Sequence, residues 1–300
     1  MAQRLRGFVL EMQGQHQLSR ECSQYVVRHY VAPIDRRLTA WGQFDQRVLA
    51  RAMLARALWF QGYAEQAMDQ ARLSLEEAQR TNFPLSIGEA LRVAVCDIAL
   101  MTGDLETADQ SITMLLEIAT SRNAPFWGIF GRCLRGKLLV IRGEFAQGSA
   151  LLRTELEFCE RAGWPIWYSE FISALAEGLI GLGQVAEARG AVDKGLASAD
   201  HGGERVYCPE LLRVKGELLL RQGQSGSGAE QSFLAALCLA RRQGALALEL
   251  RAALSLARWR VTQGRHDESR RILRPVYDQF TEGFGTADLK AAEDLLATFQ

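Results

Sequence analysis

Apolar side chains recur along this chain at the i, i+3/i+4, i+7 spacing of an amphipathic helix, as in Leu54, Ala57 and Leu58 or Leu175, Leu179 and Leu182. No run of strict apolar–polar alternation is long enough to specify a strand. The helical stretches are punctuated at near-constant intervals by Gly14, Gly62, Gly103, Gly143, Gly183, Gly223 and Gly264; the first gap is the longest, and the other five agree to within a single position. A helical period of roughly forty positions marks an α-solenoid, whose units are too small to bury an apolar face alone and must stack on their neighbours.

The unit is an αα-hairpin. Seven residues before each ladder glycine stands a small side chain: Gly7, Ala55, Cys96, Gly136, Ala176, Gly216 and Ala257. Five residues after it another follows: Ser19, Ala67, Ala108, Gly148, Ala188, Gly228 and Ser269, with the single extra residue of the Gly223–Gly264 interval assigned to the Gln224–Gly228 turn. Small positions on both sides of a turn let two helices approach closely, and the glycine serves as the left-handed cap of the first helix. Pro84, Pro125 and Pro165 each fall at the same distance after a ladder glycine, where the next first helix is expected to begin. Pro209 comes four residues later than that rhythm, beside Gly202 and Gly203, which predicts a longer loop.

The expected fold is therefore an all-α, right-handed superhelical solenoid of antiparallel two-helix repeats, forming one domain over 1–300. A partial first repeat spans 1–44, repeats follow at about 45–83, 84–124, 125–164, 165–205, 206–245 and 246–284, and a capping helix lies in 285–300, at about Thr286–Phe299.

The small–glycine–small spacing, as in Ala55, Gly62 and Ala67, resembles tetratricopeptide-like repeats, and Trp59 stands where that family carries an aromatic. The family's usual period is shorter, about 34 residues. Repeats of the longer period found here look more like the sensor domain of the maltose-regulon activator class. Residues 240–296 and 44–68 resemble the C-terminal helical-repeat region of large bacterial signalling proteins, and Phe280–Leu289 (FTEGFGTADL) is the most specific part of that likeness. Such proteins carry a signal-transduction ATPase and a winged-helix or cyclase domain ahead of the repeats. The resemblance implies a non-catalytic recognition region, the sensor or interaction part of a bacterial transcriptional or signalling regulator. A stand-alone scaffold joining partners, and a small-molecule-binding or weakly catalytic solenoid, are the competing classes.

Composition narrows the chemistry. Basic and acidic residues balance at 35 each, without the positive excess of a dedicated nucleic-acid binder. No apolar run approaches the ~20 residues of a membrane-spanning helix. The six cysteines are scattered without a C-x-x-C pair, which fits a reduced, cytoplasmic compartment. His16, His29, His201 and His266 form no metal-ligand spacing. No catalytic set, metal site or cofactor is expected.

Two phosphate-binding look-alikes fail on context. Gly131-x-x-x-x-Gly136-Lys137 is followed by Leu138, which has no hydroxyl for Mg²⁺, and Gly136 already belongs to the small column. Gly181-x-Gly183-x-x-Ala186 follows a helical pattern, whereas the dinucleotide fingerprint follows a strand.

A charged file carries more information. Six residues before the ladder glycines stand Arg56, Asp97, Lys137, Glu177, Glu217 and Arg258, mostly alternating in sign. First helices of a tetratricopeptide-like stack line the concave surface. The file is thus either an inter-repeat ion-pair ladder that fixes register or the polar floor of a recognition groove. Trp127 and Trp167, one repeat apart, are the candidate apolar wall beside it. The expected partner is a protein or peptide, with a small-molecule effector as a further option, and neither nucleic acid nor membrane.

Overall fold

A computed structural model describes residues 1–31, 44–81, 83–163, 167–223 and 226–299. Their regular structure is entirely helical. Helices pair as α1 (Ala2–Met12) with α2 (His16–His29), and α3 (Gln46–Phe60) with α4 (Ala64–Thr81). Next, α5 (Pro84–Ala90) runs through a π turn at Leu91–Val95 into α6 (Cys96–Thr102), and this composite helix pairs with α7 (Leu105–Ser121). The series continues as α8 (Pro125–Ile141) with α9 (Phe145–Arg161), α10 (Tyr168–Gly181) with α11 (Val185–Gly202), and α12 (Cys208–Arg221) with α13 (Gly226–Gln243). It ends with α14 (Leu246–Thr262), α15 (His266–Tyr277) and the terminal α16 (Ala287–Ala297). The fold is an all-α solenoid.

Every ladder glycine has a positive φ, from 63° at Gly223 to 92° at Gly62. Wherever the following residue is described, it donates its N–H to the carbonyl five residues back, as Tyr63 does to Leu58 and Asp104 to Ala99, both at 2.9 Å. This double-turn cap satisfies the orphan carbonyls at the end of the first helix. The small columns meet across the hairpin: a Cβ on Gly136 would lie 2.7 Å from Leu152, and one on Gly148 would lie 2.8 Å from the Gly136 carbonyl.

The junctions refine the sequence pattern. In α13 the buried small position is Ala229, not Gly228, six residues after its ladder glycine where the other hairpins have five; Gln224 and Ser225 lie outside the described residues. Pro84, Pro125 and Pro209 open α5, α8 and α12. Pro165 lies outside the described residues, and α10 starts beyond it at Tyr168. Five residues, 203–207, connect α11 to α12, against three between α7 and α8 and two between α13 and α14, so the longer connection expected beside Gly202 and Gly203 is present, while Tyr168 and Cys208, which begin α10 and α12, still stand one ladder interval apart.

The solenoid closes on itself. The Met12 carbonyl accepts N–H groups from Arg205 (2.6 Å) and Val206 (3.1 Å), and α3 touches α14. Glu282 accepts the Gln66 backbone N–H and its side-chain amide, each at 3.0 Å, while the Gly283 N–H reaches Glu65 at 3.1 Å. The buried apolar side chains fall into two principal cores, one running from α3 to α14 and a second built from α13 to α16.

Candidate functional site

The first helices point their charged file at the axis of this closed coil. Arg56 on α3 is fully buried. Its guanidinium binds Glu11 of α1 (Nε–Oε1 2.5 Å) and Asp97 of α6, and lies 3.6 Å from Glu170 of α10. Lys137 of α8 pairs with the same Glu170. Tyr207 closes the knot, edge-on to Phe60 at 5.7 Å, and His16 stacks on Phe60 at 4.3 Å. Burial raises the Glu11 carboxyl above its ordinary range, and burial together with Glu170 pushes Asp97 up to about 7. Burial acts on Glu170 in the same direction, but Lys137 and Arg56 outweigh it and hold that carboxyl low. Burial with nearby Arg56 drives His16 down to about 3, so its ring is neutral.

Beside this knot the axis is open. A cavity of about 260 Å³ lies among α6, α8, α10, α12, α14 and the start of α16. Its charged lining is Lys137, Arg213, Arg251 and Arg258 against Glu170, Glu177, Glu210 and Asp288. Arg213 pairs with Glu177 and with Glu210 (2.8 Å), and Arg251 pairs with Asp288 (2.7 Å) while lying over the Trp59 ring at 5.2 Å. Burial raises Glu177; for Glu210, burial is outweighed by Arg213 and Arg251, which hold it low. Arg258 is exposed at the cavity and has no carboxylate partner among the described residues.

The predicted site residues divide. Lys137, Glu177 and Arg258 line the cavity. Arg56 and Asp97 lie behind it in the buried knot, and Glu217 stands aside, 3.7 Å from Arg213. The alternating ladder is corrected. Of the predicted neighbouring pairs, only Arg56 and Asp97 form an ion pair among the described residues, because Lys137 and Glu177 take partners outside the file, Glu170 and Arg213. The apolar wall is corrected too. Trp127 and Trp167 are buried; Trp127 donates to Glu89 (3.2 Å), and Trp167 is covered by the Arg92 guanidinium at 4.1 Å. They fix Glu89 and Arg92 inside the packing.

A second charged column accompanies the file. Glu170, Glu210 and Arg251 each stand seven residues before Glu177, Glu217 and Arg258, two helical turns along the same face. That spacing was the available signal for these residues. Tyr207 stands one ladder interval after Trp167, at the start of the next first helix, whereas Asp288 comes from a segment outside the first-helix repeat pattern. The phosphate-loop look-alike lies wholly inside α8, where Gly131 packs under Leu116 and Gly136 under Leu152. Gly181 likewise ends α10 against Phe145.

This architecture is that of a tetratricopeptide-like helical-repeat protein. Among solved structures the chain is similar to a Rap protein complexed with competence and sporulation factor, with a TM-score of 0.70 and 13% identity over 99% of this chain and 75% of that one. It is also similar to the apo form of RapI, with a TM-score of 0.60 and 12% identity over 99% of this chain and 98% of that one. No family model and no curated protein matches the chain.

Proposed function

We propose that this chain is a non-catalytic recognition domain, the sensor or interaction region of a bacterial regulator, whose effector or partner enters the axial cavity. The cavity itself carries the reading: about 260 Å³ of space lined by four cations and four carboxylates beside apolar walls. Charged groups gathered around an open space can exchange water and internal partners for the polar groups of a bound molecule. Their pairing also argues against catalysis, since no nucleophile with an adjacent free base stands among them. The Rap protein of the comparison was solved complexed with competence and sporulation factor, so one protein of this fold carries a bound factor. Neither glycine motif supports a nucleotide reading, because the first lies inside α8 and the second is the turn that ends α10.

Filling the cavity tests the proposal. Ala174→Leu adds a branched side chain at a lining position. Native mass spectrometry of the protein purified from a host extract should find a bound small molecule or peptide on the wild type and none on the variant, with circular dichroism unchanged. A bound species retained by the filled variant, or none on either protein, overturns it.

A further inference from the structure

Asp288 is the one carboxylate of the cavity that does not come from the repeat helices. It sits in the first turn of α16, and together with Ala287 it forms the wall of the cavity toward the C-terminal end. Its partner Arg251 belongs to α14 and also reaches the Met101 carbonyl of α6 at 3.4 Å. Without Asp288, the lining would keep Lys137, Arg213, Arg251 and Arg258 against Glu170, Glu177 and Glu210, a surplus of one positive charge. The seat thus accommodates one carboxylate, and the chain fills it from its own C-terminal segment.

That segment is held by a seam of few contacts. Glu282 and Gly283 bind the start of α4, and Ala287 packs on Gly103 so closely that a Cβ there would lie 2.6 Å from it. The buried apolar residues of this segment, Leu289, Ala292 and Leu296, belong to the smaller core and none belongs to the main one, so the segment can shift without opening the main core. A cleft between this segment and the starts of α4 and α7, lined by Glu65, Thr102, Gly103, Ala287 and Lys290, leads to the same residues that wall the cavity.

The geometry points to Asp288 as a built-in ligand mimic: an external carboxylate with an apolar body takes its place on Arg251, and the clasp at 281–288 opens in response. The apolar body would face Leu100, Met101, Val140, Ile141 and Leu254. This inference rests on the cavity reading above and adds the ligand's chemistry and its coupling to the clasp. A small organic acid and the C-terminal residue of a peptide share that chemistry.

The test uses Asp288→Asn, which removes the internal carboxylate and leaves the seat with its positive surplus. Calorimetric titration with N-acetyl-leucine, and separately with a blocked alanine tripeptide ending in leucine, compares the two sources; the corresponding C-terminal amides are the controls. At least one acid should bind Asp288→Asn about tenfold or more tighter than the wild type, while its amide does not bind, and Arg251→Gln should abolish binding. Saturating the wild type should speed hydrogen exchange across 281–297. If Ala174→Leu removes binding but wild type and Asp288→Asn bind equally and the clasp exchanges at an unchanged rate, the mimic is refuted and the cavity stands. If Ala174→Leu binds as the wild type does, the cavity reading itself falls. Absence of acid binding to Asp288→Asn, or equal binding of acid and amide, overturns the carboxylate seat.

Discussion

At the residue scale, the axis is built from buried charges whose values depend on one another. Arg56 is the clearest, since among the described residues it alone compensates Glu11 and Asp97 by direct ion pairs. Arg56→Met should destabilise the domain by about 3–5 kcal/mol, because removing one partner strands the other buried charges. Adding Glu11→Gln and Asp97→Asn should recover much of the loss in urea unfolding; a triple variant no more stable than the single one would contradict this account. Glu204 gives a pH prediction. Its carboxylate accepts the Ser169 N–H at 2.9 Å together with the Ser169 hydroxyl, and burial pushes its pKa up to about 7 from an ordinary 4.5. Between those values the native state keeps a proton that the unfolded chain has lost, so Glu204 lowers stability as pH rises through that window. Glu204→Gln retains an acceptor and should flatten the decline, leaving the variant more stable than the wild type at pH 8 by about 3 kcal/mol and little different at pH 5. Parallel pH profiles for the two proteins would refute the assignment.

At the element scale, the ladder glycines are locally alike but tertiarily distinct. A Cβ on Gly183, φ +71°, would meet nothing within 4 Å, whereas one on Gly103, φ +83°, would run into Ala287 of the clasp. Gly183→Ala should therefore cost only the left-handed backbone penalty of about 1 kcal/mol. Gly103→Ala should cost about 2 kcal/mol or more, since it adds overpacking at the seam, and it should selectively raise hydrogen exchange in 281–297. Equal losses for both would mean that the seam is not packed as described. The Gly62–Gly103 and Gly223–Gly264 intervals each exceed the three between them by a single residue, and the two surpluses have separate physical origins. Pro84 to Gly103 is one residue longer than Pro125 to Gly143, and the surplus is taken up as the π turn at Leu91–Val95, which keeps Arg92 beside Glu89 and Trp167. The other surplus accompanies the later small position of α13, Ala229.

At the scale of the whole molecule, α16 does two jobs. Leu289, Ala292 and Leu296 cover the apolar faces of α14 and α15, and the turn before it ties the last repeat back to α4. A terminal repeat without its cap exposes its stacking face. Deleting the chain from Gly285 onward should thus produce self-association in analytical ultracentrifugation and a lower melting temperature. A truncated chain that stays monomeric and equally stable would show that the cap is dispensable.

The helices, their paired arrangement and the positions of the glycine turns were legible in the sequence because each depends on neighbours a few residues away: apolar spacing, small side chains and left-handed caps. That Arg56, Lys137, Glu177 and Arg258 belong near one axis was legible for the same reason, since they share a place in the repeat. Only the tertiary structure decided that Arg56 pairs with Glu11, that Trp127 and Trp167 are interior, and that Asp288 enters the cavity. Those contacts depend on how small rotations at every repeat interface add up until the coil meets itself, so that Gln66 touches Glu282 from the far end of the chain. No single repeat encodes that sum, and the chemistry of the axis follows from it.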